Sequence, residues 1–145
     1  MADILLIEDN PADVLLTIEA FKECKGEHTI FSLSDGVAAI EHINTIIREQ
    51  QKMPDLILLD LNLPKKDGRQ VLKEIKTKAE LQSTPVIILS TSKNEKDVSE
   101  TYKLNANCYI IKPVELESFI KIIEGIEKFW FNTVKLPRNS ILAVA

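Results

Sequence analysis

The run Leu56-Ile57-Leu58-Leu59-Asp60-Leu61-Asn62-Leu63-Pro64 sets four apolar residues against an acid and closes on a proline four residues beyond it. An apolar stretch of strand length with no polar alternation suits a strand covered on both faces. Asp60 then stands at that strand's carboxyl end, and Pro64 stiffens the loop that follows. Similar runs recur at Ile4 to Ile7, Thr29 to Leu33, Val86 to Leu89 and Cys108 to Ile111. Periodicity alone does not separate such runs from short buried helices, but the segments between them do. Val14, Leu15, Ile18 and Phe21 share one helix face, as do Ile40, Ile43, Ile46 and Ile47, and again Val71, Leu72, Ile75 and Ala79. Strand alternating with helix predicts crossover connections and an α/β fold: a doubly wound, five-stranded parallel sheet with five helices on its two faces.

Punctuation agrees. Asn10-Pro11 supplies a capping side chain followed by a proline at the first helical position, where its missing N–H costs nothing. Asp35-Gly36 and Asp67-Gly68 open the second and third helices, and Asn105 sits where a left-handed residue would end the fourth. Phe119, Ile122, Ile123, Ile126, Phe129 and Trp130 continue at helical spacing along the last helix. At 145 residues the chain is expected to form one domain, burying roughly 70% of its unfolded surface. That domain is expected over residues 1–137, with 138–145 an unordered tail.

Charge and cysteine content narrow the function. Eighteen Lys and Arg against twenty-two Asp and Glu leave a net charge of −4, the wrong sign for gripping nucleic acid or an anionic membrane. Cys24 and Cys108 are too few for a disulfide scaffold and lack the spacing of zinc or thiol redox motifs. The amino terminus lacks the basic start and long apolar stretch of a signal peptide, and no run approaches the ~20 residues of a bilayer span. A cytoplasmic protein is expected, with no direct nucleic-acid or membrane partner.

The chemistry collects at strand ends: Glu8-Asp9 after the first run, Asp60 after the third, Ser90 after the fourth, Lys112 after the fifth. In a parallel sheet these ends share one edge, the edge at which open α/β sheets bind ligands. Three crowded carboxylates repel unless a cation joins them, and hard oxygen ligands point to Mg2+, which leaves room for a phosphate. An aspartate beside Mg2+ is a competent nucleophile, and Asp60 is the central acid in strand order. The Asn62 carbonyl is placed to face the metal, Lys112 offers a cation to a phosphoryl oxygen, and Ser90 offers a hydroxyl.

Together, Glu8-Asp9-Asn10, Asp60 to Pro64, Asp67-Gly68, Pro85 to Ser90, Tyr109 and Lys112-Pro113 closely resemble the receiver domain of two-component response regulators, over about residues 3 to 131. The resemblance implies a flavodoxin-like fold with strand order 2-1-3-4-5 and transient phosphorylation of one aspartate by a sensor histidine kinase. It makes Asp60 the phosphoacceptor, Asp9 a direct Mg2+ ligand, Glu8 a water-mediated one and the Asn62 backbone carbonyl another. Ser90 and Tyr109 become a switch pair: the hydroxyl follows the phosphoryl group and the ring swings inward. Thr91 departs from the alanine or glycine usual after that serine, and is expected to narrow access to the phosphoryl site. Ser90-Thr91-Ser92, the long second helix and the end from Phe129 to Pro137 resemble the small single-domain regulators that pair with bacterial phytochromes. In those, the extension takes part in homodimers, which would employ Phe129, Trp130 and Phe131. His28 and His42, away from the acidic edge, read as surface or helix-face residues.

Two other functions fit an acidic, metal-binding sheet edge. A Mg2+-dependent phosphohydrolase with an aspartyl nucleophile needs a second acid for proton transfer, and the position two beyond Asp60 is the amide Asn62. A protein-binding module that has lost phosphorylation would not need Glu8, Asp9, Asp60, Ser90 and Lys112 together.

Overall fold

In the computed structural model, which describes residues 2–137, the five apolar runs become five parallel strands. They are β1 (Ala2–Ile7), β2 (His28–Leu33), β3 (Leu56–Leu59), β4 (Val86–Ser90) and β5 (Cys108–Ile111), in spatial order β2-β1-β3-β4-β5. Between and after them run α1 (Pro11–Lys22), α2 (Gly36–Arg48), α3 (Gly68–Thr77), α4 (Glu95–Lys103) and α5 (Leu116–Glu127). The chain reverses strand order at β1, with β2 on one side and β3 on the other, so a crevice opens beyond the carboxyl ends of β1 and β3.

Alternate residues of each strand serve opposite faces, which explains the absence of polar alternation in the sequence. Leu5, Ile7, Ile57, Leu59 and Ile88 pack with Ile40, Ile43, Val71, Leu72 and Ile75 of α2 and α3. Ile4, Leu6, Leu58, Ile87 and Leu89 pack with Phe21, Phe119, Ile123 and Ile126 of α1 and α5. Helix starts follow the capping chemistry: the Asn10 side chain accepts from the backbone N–H of Ala12 and Asp13, Asp35 from Ala38, and Asp67 from Arg69. Asn105 adopts φ 71° just past Leu104, the residue that caps α4.

Two expectations change. Helical pitch does not continue through the aromatic end, because the chain widens after Glu127 into a π-type turn, Lys128–Thr133. There Trp130 and Phe131 turn onto the α1–α5 core, while Phe129 stays 48% exposed. Of the three aromatics expected at a dimer interface, Trp130 and Phe131 are half-buried against their own domain and Phe129 is the most exposed. His28 is not a surface residue: its side chain is 4% exposed, lies between the rings of Phe21 and Phe131 at 5.5 and 5.2 Å, and stands 3.5 Å from the Glu127 carboxylate. His42 does lie on a helix face, stacked on Phe31 with ring centroids 4.5 Å apart. Residues 138–145, expected to form a tail, lie outside the described part of the chain.

Candidate active site: an acidic crevice at the carboxyl edge of the sheet

Strand pairing brings the acids together. The Asp60 N–H donates to the Ile7 carbonyl at 3.0 Å, holding the end of β3 beside the end of β1, where Glu8 and Asp9 follow. Carboxylate oxygens of Glu8, Asp9 and Asp60 lie within 4.8 Å of one another. Two oxygens on opposite sides of a Mg2+ ion are about 4 Å apart, so this set matches a single small, hard cation. Glu8 and Asp60 are buried and Asp9 is exposed, which leaves the cluster open to solvent on one side. Burial, with the Asp60 charge adding to it, pushes the Glu8 carboxyl up to about 7 against the opposing pull of Lys112.

Lys112, 8% exposed at the end of β5, reaches across the crevice. Its ammonium donates to Glu8 and to Asp13 and stands 3.7 Å from Asp60. Burial works against its charge, but the carboxylates of Glu8 and Asp13 more than offset that and hold its pKa above the usual lysine value. Asp13, 2.9 Å from the Lys112 ammonium, was not singled out by sequence. It belongs to the first turn of α1, and only the fold shows that this turn faces the end of β5.

Ser90 is fully buried at the end of β4, and its hydroxyl accepts the Ser92 N–H at 3.2 Å. Tyr109 lies half-buried, its ring against the α2–α3 core and its hydroxyl donating to the Ser92 carbonyl at 2.8 Å. The ring is therefore turned toward the loop that follows Ser90. Asn62 and Thr91 are exposed on the loops after β3 and β4. Gly68 is required by close approach: a Cβ there would come within 2.4 Å of the Asp60 carbonyl oxygen. The first turn of α3 is thus packed directly on the backbone of Asp60.

A metal-competent acid cluster and a buried lysine at one sheet edge, with Ser90 and Tyr109 both tied to Ser92 beside it, are the parts that a phosphoryl-transfer switch requires. Residues 4–124 match the response regulator receiver domain, and the chain belongs to that family. Among its relatives, response regulator Rcp1 of Synechocystis is 47% identical over 135 residues, 92% of each protein. The crystal structure of the Mn2+-bound form of Rcp1 superposes with a TM-score of 0.88 at 46% identity, covering 94% of this chain and 99% of that one. That of the phosphorylated cyanobacterial phytochrome response regulator RcpA gives 0.87 at 45% identity, covering 94% and 98%. The protein is thus a receiver domain of a two-component system, a Mg2+-dependent phosphoacceptor that works with a sensor histidine kinase. Among the described residues no helix is long and apolar enough to cross a membrane.

Proposed function

We propose that the chain acts as a cytoplasmic switch, with residues 1–137 as its working unit, and that Asp60 is the residue phosphorylated. The observation that carries this reading is the meeting of Glu8, Asp9, Asp60 and Lys112 from three strand ends in one crevice. An Asp60 carboxylate oxygen attacks the phosphorus of a phosphohistidine, the N–P bond breaks, and the departing imidazole takes up a proton. Asp9, Asp60 and the Asn62 carbonyl would hold Mg2+ directly and Glu8 through water. The ion, when bound, neutralises charge building on the phosphoryl oxygens. Lys112 exchanges part of its pairing with Glu8 for a phosphoryl oxygen, and Ser90 donates its hydroxyl to another. Exposed Thr91 narrows the approach of water, and attack by water on the acyl phosphate resets the switch.

Each phosphoryl contact of Lys112 and Ser90 is worth about 1.5 to 3 kcal/mol. Reversing a 1:99 equilibrium takes about 5.5 kcal/mol, so phosphorylation biases a balance already near the active arrangement. The inward Tyr109 ring supports that reading. By analogy with the phytochrome response regulator RcpA, the cognate kinase is of phytochrome type. A homodimer through the carboxyl-terminal turn would rest on exposed Phe129, with Trp130 and Phe131 shaping that turn from beneath.

Intact mass after incubation with Mg2+ and acetyl phosphate tests the central assignment: wild type gains one labile phosphoryl group and Asp60→Asn gains none. An equal gain in the variant overturns it, and turnover of unrelated phosphate esters would favour a hydrolase. Light scattering of wild type and Phe129→Ala, with and without phosphodonor, tests the dimer.

A further inference from the structure

We propose that Arg69 is a positioning residue for phosphoryl uptake, latching the loop after β4 to the first turn of α3 so that the buried Ser90 hydroxyl is aimed at the phosphoryl site. This inference rests on the phosphoacceptor reading of Asp60.

The latch is a continuous series of polar contacts. The Arg69 guanidinium donates to both carboxylate oxygens of Asp67 at 3.1 Å, and through its other terminal nitrogen to Asp97 in the first turn of α4. Its Nε stands 3.5 Å from the Glu100 carboxylate. The second oxygen of Asp97 accepts the Ser92 hydroxyl at 2.6 Å. Ser92 then fixes both switch residues from one backbone unit: its N–H donates to Ser90 Oγ, and its carbonyl accepts from the Tyr109 hydroxyl. At the other end the latch is anchored to the acceptor itself, because Arg69 follows Gly68, which packs against the Asp60 backbone and donates to the Leu61 carbonyl at 2.8 Å.

Apolar packing contributes little along α4 itself, where Val98 is only half-buried. Of the nine residues of α4 only Thr101 is buried, so the helix is moored to the domain largely by polar contacts. Without Arg69, Asp97 loses its ion-pair partner and with it the tie to α3 that places the carboxylate accepting the Ser92 hydroxyl, leaving Ser92 Oγ positioned by the Asn94 N–H and by an unanchored Asp97. The Ser92 N–H occupies an acceptor site on Ser90 Oγ, which leaves the serine hydrogen free to donate to a phosphoryl oxygen. Releasing Ser92 lets the Ser90 hydroxyl rotate and accept or donate elsewhere, and small misplacements at a reacting centre are costly in rate. None of the latch residues belongs to the acid cluster, so metal affinity should not follow.

The test measures phosphoryl uptake from acetyl phosphate by intact mass, and Mg2+ affinity by calorimetry, in the full chain. Arg69→Ala is expected to take up phosphate about tenfold more slowly than wild type, with Mg2+ affinity within about twofold. Arg69→Lys, which keeps one ion pair but not the fork, is expected to lie between them. Asp97→Ala should slow uptake similarly, and the double variant should be no slower than either single one, since both act through Ser92. Ser92→Ala reports on the same step without touching a charge and serves if Arg69→Ala does not fold. An uptake rate equal to wild type in Arg69→Ala and Ser92→Ala overturns the latch. So does a slowing matched by lost Mg2+ affinity, or an additive double variant. A wild type that takes up no phosphate instead overturns the phosphoacceptor reading.

Discussion

Helices α4 and α5 lie on opposite faces of the sheet beside β5, yet they are fastened by different physics. Along α5, Phe119, Ile123 and Ile126 are buried in the α1–α5 core, so any shift of this helix exposes aromatic and branched side chains to water. Along α4 only Thr101 is buried, and the helix is tied down by Arg69 to Asp97 and Glu100, by Ser92 to Asp97, and by the Tyr102 hydroxyl accepting the Tyr109 N–H at 3.1 Å. A helix held by apolar area resists displacement. One held by exchangeable polar contacts moves when a competing charge appears nearby, because each contact is worth little net against water. The fold thus sets a flank held by apolar burial beside one held by polar contacts, and the acidic crevice opens beside the latter.

The difference is broken most directly on the fixed side. Phe119→Ala leaves a cavity under α5 and is expected to cost about 3–5 kcal/mol, read as a fall in the urea midpoint. The corresponding cut on the other helix, Val98→Ala at a half-buried position, is expected to cost about 1 kcal/mol. Similar losses at both positions would mean that α4 has an apolar anchor after all. A smaller change sharpens the contrast from the other direction. Gly125 lies in α5 with nothing within 4 Å of where a Cβ would stand, so Gly125→Ala gains helix propensity without a clash. It is expected to stabilise by about 0.5–1 kcal/mol and to leave phosphoryl uptake unchanged.

How far the sequence revealed this arrangement depends on what kind of signal each part carries. Strands buried on both faces leave unbroken apolar runs, and the runs at Leu56–Leu59 and Cys108–Ile111 coincide with the observed strands. Caps are local chemistry, so Asn10, Asp35 and Asp67 could be read directly. The meeting of Glu8, Asp9 and Asp60 followed from topology, since parallel strands share a carboxyl edge. Asp13 and the Arg69–Asp97 tie left no such mark: each is a charged residue on a helix, which reads as solvated surface until the neighbouring element is known. The aromatic end misled for a different reason. A helical stripe assumes constant pitch and carries the buried face of Phe119, Ile123 and Ile126 on to Phe129 and Trp130, whereas through the π-type turn at Lys128–Thr133 Phe131 joins Trp130 on the core and Phe129 is left exposed. His28 likewise reads as a surface residue until α5 and the π-type turn cover it.

The smallest expected effect concerns acid, and it isolates the polar side. The Ser92 hydroxyl and then the Arg69 guanidinium hold the Asp97 carboxyl below its ordinary value of 3.8. In the folded chain Asp97 therefore binds a proton less readily than in the unfolded one, and its contribution to stability is present above the unfolded value and lost as pH falls through the folded one. Asp97→Asn keeps a side-chain oxygen that can accept from Ser92 but carries no titratable charge. The urea midpoint of wild type should exceed that of the variant at about pH 6, with the gap closing as pH falls below about 4. No such convergence is expected for Gly125→Ala, whose difference from wild type involves no proton. A gap for Asp97→Asn that stays constant down to low pH would mean that the Asp97 charge does not fasten α4.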